Sequence, residues 1–227
     1  MNLENGLQKE IIKKINSISG RYSNYEVFSD WVKCSALSID NFSSIRHGKL
    51  WESREKQYMD SILKYTESER KVFPELLALL IEALTEEIED VLGSVYMEGE
   101  MGNKATGQFF TPFHVSLLNA RLMQYPENVS PEHPLLLNEP STGGGGMILA
   151  VVRTMKERGM NPQTCLKVVA QDLDWKGVYM TYLQLSVLGI KAIVVQGDTL
   201  QEPFTDRRHY PPERVLLTPA QKGAFPW

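Results

Sequence analysis

Four short apolar runs constrain the fold of this chain more than any other feature. They lie at residues 135–137, 168–170, 193–195 and 215–217 and read Leu-Leu-Leu, Val-Val-Ala, Ile-Val-Val and Val-Leu-Leu. The stretches near 146–158 and 175–188 that separate them have helical composition. Strand–helix–strand alternation predicts a parallel sheet with helices on its faces and right-handed crossovers. The expectation is an α/β domain over residues 105–227 that stops after its fourth strand. In open sheets of this kind, ligands bind outside the carboxyl ends of the strands. The residues that follow each run are therefore the candidates for chemistry.

The first run continues into Asn138-Glu139-Pro140-Ser141-Thr142-Gly143-Gly144-Gly145-Gly146 and then a helix. Four glycines let the backbone approach a ligand that side chains would exclude. The helix start adds unpaired N–H donors that favour a carboxylate or phosphate. A phosphate-binding loop needs Gly-Lys-Ser/Thr at its end, and this turn runs into Met147 and Ile148. A dinucleotide fingerprint counted from Gly143 and Gly145 would need its third glycine at Ile148. An acidic-Pro-x-x-Gly-x-Gly-Gly turn suits a methyl donor, S-adenosylmethionine, whose methionine carboxylate takes the place of a pyrophosphate. After the second run, Asp172 can accept from both ribose hydroxyls of a nucleoside. Asp174 is the neighbouring alternative, although its place before Trp175 equally suits a helix N-cap. After the third run, Asp198 in Gln196-Gly197-Asp198-Thr199-Leu200 can accept from an exocyclic adenine amine.

The first half of the chain reads as helical, giving a domain over residues 1–104 with a boundary within 99–106. Leu3, Leu7, Ile11, Ile15 and Ile18 recur at helical spacing. Residues 25–65 read as short helices broken by Ser, Asn and Asp. A longer helix is expected over 74–92, with Leu76, Leu80, Leu84, Ile88 and Val91 on its apolar face. Glu82, Glu86, Glu87, Glu89 and Asp90 then fall on a solvated one.

With 42% hydrophobic and 23% charged residues, the chain can bury a sizeable core. A net charge of -4 excludes a general basic field for DNA or membranes, leaving a local patch or a partner subunit for either. Cys34 and Cys165 form no ligand pattern, nor do His47, His114, His133 and His209, so no metal is expected. Reduced thiols, no signal-type segment and no membrane-length apolar run make a cytoplasmic location the expectation. Arg207-Arg208-His209 reads as an exposed loop. Ser141 and Thr142 lack a paired base, which removes hydrolase chemistry.

Together these pieces resemble the adenine-N6 DNA methyltransferases, most closely the modification subunits of type I restriction systems. Gly107-Gln108-Phe109-Phe110-Thr111-Pro112 looks like the family's motif X, which closes over the methionine end of the donor. Residues 139–146 look like motif I, with Glu139 for the usual Asp and Gly144 for a hydroxyl residue. Gln171-Asp172 resembles motif II, and Gly197-Asp198-Thr199-Leu200 resembles motif III. The resemblance implies a Rossmann-like S-adenosylmethionine-dependent methyltransferase sheet, here incomplete. It assigns the donor to Gln108, Phe109, Phe110, Thr111, Pro112, Glu139, Gly143, Gly144, Gly145, Gly146, Asp172 and Asp198. It also implies DNA as substrate, reached through a partner or specificity subunit in a homo- or hetero-oligomer.

The departure lies at the fourth strand, where the family carries Asn-Pro-Pro-Phe or Asn-Pro-Pro-Tyr. Here Thr218-Pro219-Ala220-Gln221 follows. Thr218 and Pro219 are the positions that would face the target amine. Thr218 keeps one acceptor oxygen and Pro219 its carbonyl, while Gln221 cannot stack on a flipped base. Phe225 or Trp227 would have to substitute. Base–aromatic stacking alone is worth about 1–3 kcal/mol. The alternatives are thus an active methyltransferase, a donor-binding module acting through partners, or methylation of another planar amide such as a protein glutamine.

Overall fold

The computed structural model describes residues 6–44, 47–99, 110–205 and 210–223. Helix α1 (Gly6–Ile18) buries Ile11, Ile15 and Ile18 along one face, as their spacing predicts. Helix α2 (Asn24–Phe42) opens on a capping box in which Ser23 and Glu26 satisfy each other's backbone N–H groups. Helix α3 (Lys49–Ile62) comes next. The expectation of short helices over 25–65 is corrected: α2 runs for 19 residues. Asp40 and Asn41, which read as breakers, are instead bonded within the fold, to Arg54 and Lys222 and to Glu55 respectively.

Helix α4 (Glu67–Arg70) leads to α5 (Val72–Glu86) and α6 (Val91–Glu98). The single helix expected over 74–92 is therefore two. Glu87 turns extended, and Asp90 starts α6 as its N-cap, accepting from the Gly93 N–H at 2.9 Å. The break rotates Asp90 off the solvated acidic face and into the interior, where it is 4% exposed.

The α/β part runs α7 (Phe113–Leu122), β1 (Leu135–Glu139), α8 (Gly146–Glu157), α9 (Pro162–Cys165), β2 (Leu166–Asp172) and α10 (Trp175–Val187). Then come β3 (Lys191–Gln196), a 3-10 turn (Pro212–Arg214), β4 (Val215–Leu217) and α11 (Pro219–Lys222). All four apolar runs are strands. They lie in the order β1-β2-β3-β4. The first three are parallel, in the register Leu137↔Val168↔Ala192.

The fourth departs from the parallel expectation. It pairs antiparallel with β3, Val194 opposite Leu216. Side chains far away in sequence hold it there. Arg54 donates to the Val215 carbonyl at 2.7 Å and to the Pro212 carbonyl at 3.3 Å. The Lys222 ammonium donates to the Asp40 carboxylate at 2.7 Å.

Helix α10 is the spine of the molecule. It packs on β2 and β3 and also against α2, α5 and α6. Val178, Met180, Tyr182, Leu183 and Leu185 are wholly buried between these layers. One continuous core joins Trp31, Leu76 and Leu92 of the helical part to Ile148, Val168 and Ala192 of the sheet part. Residues 100–109, where the expected boundary falls, lie outside the described residues. Among the described residues, no helix is long and apolar enough to cross a membrane.

Candidate donor-binding site

The three parallel strands end at one rim, and their following turns are laced together there. The glycine turn after β1 has positive φ at Gly143 (52°) and Gly145 (95°), which glycine adopts without strain. Its carbonyls face α10, where Thr181 Oγ1 donates to the Gly143 carbonyl at 3.1 Å and Gln184 Nε2 to the Gly144 carbonyl at 2.8 Å. Thr142 is anchored by its N–H on the Gln171 carbonyl at 3.0 Å and by its hydroxyl on Thr181 at 3.0 Å. With the carbonyls held inward, the first N–H groups of α8 lack intrahelical acceptors. Gly145, the N-cap, offers no side chain to satisfy them. Those N–H groups and the positive end of the helix favour an anionic group.

Asp172 ends β2 and joins the turns. Its Oδ2 accepts from the Gly143 N–H at 2.7 Å, its Oδ1 from the Asp174 N–H at 2.9 Å, and its carbonyl from the Gly197 N–H at 2.8 Å. Burial raises the Asp172 carboxyl above the ordinary aspartate range, and the Asp174 and Gly143 N–H bonds pull it back only in part. Asp174 takes the capping role instead, accepting from the Lys176 N–H at 2.9 Å. Gln171 points elsewhere and holds the segment after β3. It donates to the Glu202 carbonyl at 2.9 Å and accepts from the Phe204 N–H at 3.0 Å.

Of the other predicted positions, Gln108 and Phe109 lie outside the described residues. Phe110 sets an edge of its ring against the turn, and a Cβ added at Gly143 would stand 2.8 Å from it. Thr111 and Pro112 line a cavity of about 540 Å³ with Phe110, Asp90, Gly93 and Arg153. Glu139 accepts from the Ser141 N–H at 3.2 Å. Asp198 accepts from the Leu200 N–H at 2.9 Å and the Gln201 N–H at 3.3 Å, which caps its own turn. The neighbouring Thr199 hydroxyl donates to the Pro140 carbonyl at 2.6 Å and ties the third turn to the first.

Thr218 and Pro219 are not brought to this rim. Thr218 is fully buried, its hydroxyl donating to the Ile190 carbonyl at 2.7 Å and accepting from the Ala192 N–H at 3.0 Å. Gln196 stands level with Asp172. Ala192 lies about 13 Å down the strand from it at roughly 3.3 Å per residue. The antiparallel β4 thus carries Thr218 to the opposite end of the sheet. The placement at a target amine is corrected for this arrangement.

The residues present fit a zwitterionic nucleoside such as S-adenosylmethionine. The glycine cradle excludes side chains, the α8 start offers N–H donors, and Asp172 offers a carboxylate. Sequence reasoning missed Thr181 and Gln184, polar residues spaced i, i+3 among the buried positions of α10. It also missed Asp90, whose carboxylate would lie 2.8 Å from a Cβ added at Gly144 and 3.0 Å from one at Gly146.

The cradle makes a direct prediction. Gly143→Ala adds a Cβ at φ 52° against the Phe110 ring. It should lower stability by about 1–2 kcal/mol in urea unfolding, the cost of a left-handed non-glycine residue. It should also weaken nucleoside binding by displacing Phe110. An unchanged midpoint would show that the turn relaxes freely.

The sequence model of the family described as N-6 DNA Methylase matches residues 88–215, from just before α6 to the start of β4. Among solved structures, the chain is similar to a protein of Listeria monocytogenes assigned as a class I S-adenosylmethionine-dependent methyltransferase. The identity is 11%, the TM-score 0.47, and the match covers 89% of this chain and 56% of that one. It is also similar to the methyltransferase subunit of a type I restriction-modification system from Streptococcus thermophilus. There the identity is 16%, the TM-score 0.45 and the coverage 89% and 41%. The chain therefore spans about half the length of the solved structures it matches. No curated protein matches it. The family model takes in Asp90, the glycine turn, Asp172 and Asp198 within its span, and the chain belongs to the N-6 DNA methylase family.

Proposed function

We propose that this chain binds S-adenosylmethionine and acts as a DNA methyltransferase on the adenine N6 amine. One observation carries the reading. The glycine turn has its carbonyls fixed on Thr181 and Gln184, so its open face, the α8 N–H groups and the Asp172 carboxylate converge on one rim. The bound donor would supply the methyl group. The chain's own residues would do the positioning: the α8 start holds the methionine carboxylate, Asp172 accepts from the ribose hydroxyls, and Phe110 covers the turn. Holding reactants in line is itself a large part of such catalysis. DNA would be engaged with a specificity subunit, in the cytoplasm, as in type I modification.

A second reading, a donor-binding module whose acceptor groups come from other subunits, is favoured by Thr218 lying at the far end of β3. Calorimetry with S-adenosylmethionine should show binding under both readings. Tritiated methyl transfer to DNA, with and without a specificity subunit, separates them. No transfer in either case leaves the module reading, and no donor binding sinks both.

A further inference from the structure

We propose that Asp90 is the receptor for the α-ammonium group of the donor. The inference rests on the donor reading above and adds a residue to it. Asp90 comes from the helical part of the chain, yet its carboxylate sits against the glycine turn. A Cβ at Gly144 would lie 2.8 Å from Oδ2, and one at Gly146 3.0 Å. Asp90 is only 4% exposed. It lines the same cavity of about 540 Å³ as Phe110 and Thr111.

The two oxygens differ. Oδ1 accepts from the Gly93 N–H and from Gln184 Nε2, both at 2.9 Å. Oδ2 accepts from no described residue. No Lys or Arg pairs with Asp90 among the described residues. Arg153, which lines the same cavity, is held by Glu87 at 2.5 Å and Glu157 at 3.2 Å. Burial raises the Asp90 carboxyl above its ordinary range. A buried carboxylate with one free oxygen is an unfavourable arrangement that a cationic ligand group relieves.

The position matches the donor's chemistry. The methionine end carries a carboxylate and an ammonium on one carbon. The α8 start suits the first. Asp90 Oδ2, beside that start, suits the second. Gln184 coordinates the pair, since the same amide nitrogen serves the Gly144 carbonyl at 2.8 Å and Asp90 Oδ1.

Three thioether probes test this by calorimetry. S-adenosylhomocysteine carries both charged groups, S-adenosyl-3-thiopropylamine only the ammonium, and methylthioadenosine neither. Asp90→Asn keeps an acceptor for the Gly93 N–H and Gln184 and removes the charge. It should weaken the first two probes by roughly tenfold or more, the size of one charge-assisted hydrogen bond. It should leave methylthioadenosine within about twofold. Equal loss for all three, or no loss for any, overturns the assignment. Should the variant not fold, the wild-type chain decides: the thiopropylamine should bind at least roughly tenfold tighter than methylthioadenosine. Equal affinities overturn the assignment while leaving the donor reading intact. If none of the three binds the wild-type chain, the donor reading itself fails and the assignment fails with it.

Discussion

Replacing Asp40 with alanine is expected to cost about 3–5 kcal/mol of folding stability, the range for removing one member of a buried charge network. Asp40 has no exposed surface. Arg54 Nη1 donates to Oδ2 of its carboxylate, and Lys222 Nζ donates to Oδ1 at 2.7 Å. The Lys222 ammonium also reaches the Asp40 carbonyl at 2.8 Å and the Ser43 and Ser44 hydroxyls at 3.1 Å each. Alanine would strip two cations of the carboxylate they share, in a region where Arg54 is itself only 6% exposed. The melting temperature should fall by about 6–20 °C for a chain of this size. Asp40→Asn, which keeps the shape and one acceptor, should lose a smaller share. The damage should be local in character. Hydrogen exchange should rise first at β4, because Arg54 is the link from the helical layer to the Val215 carbonyl. Donor affinity measured well below the melting point should not change, since the glycine turn lies at the other end of the sheet. An unfolding free energy from urea titration within about 0.5 kcal/mol of wild type would refute the network's role.

That same network explains where the sequence could not be read. The positions of β1 to β4 are local matters, and the apolar runs state them. So is the glycine turn, because Gly143 and Gly145 occupy backbone regions that other residues avoid. The role of Asp174 as an N-cap was also legible, being a contact two residues long. The direction of β4 was not. It depends on Arg54 reaching Val215 and on Lys222 reaching Asp40, pairings that no periodicity records. Asp90 failed differently. In Glu86-Glu87-Ile88-Glu89-Asp90 it looked like one more acid on a solvated helix face. Only the break that leaves Glu87 extended and makes Asp90 a cap turns it inward. Thr181 and Gln184 were hidden by the opposite masking, two polar side chains within a helix whose burial reads as plain core. The site is thus half local turn chemistry, which is visible, and half support from α6 and α10, which tertiary packing alone assembles.

Asp172 is where local and tertiary parts meet, and its removal should have the largest effect on binding. Asp172→Ala takes the acceptor from the Gly143 and Asp174 N–H groups. Under the donor reading it also removes the ribose contacts. Hydrogen bonds to a charged acceptor contribute enough that affinity should fall by at least roughly hundredfold. The loss of the two N–H bonds should cost about 2–4 kcal/mol of stability. Asp172→Asn must offer its NH₂ to one of those donors and should fall between. Acidity gives a second test. Ribose hydroxyls need the ionised carboxylate, and burial has raised its pKa against the restoring N–H bonds, with Asp174 raising it further and Lys176 opposing. Protonation therefore competes with binding at a higher pH than it would for an exposed aspartate. Below that point affinity should decline by roughly tenfold per pH unit. Methylthioadenosine isolates this limb, because it lacks the ammonium proposed for Asp90. In Asp172→Asn the acid limb should vanish, leaving weak affinity flat with pH. Wild-type affinity for methylthioadenosine that stayed constant into the range of ordinary aspartates would remove Asp172 from the ribose site, and the glycine turn would then have to hold the nucleoside with its backbone alone.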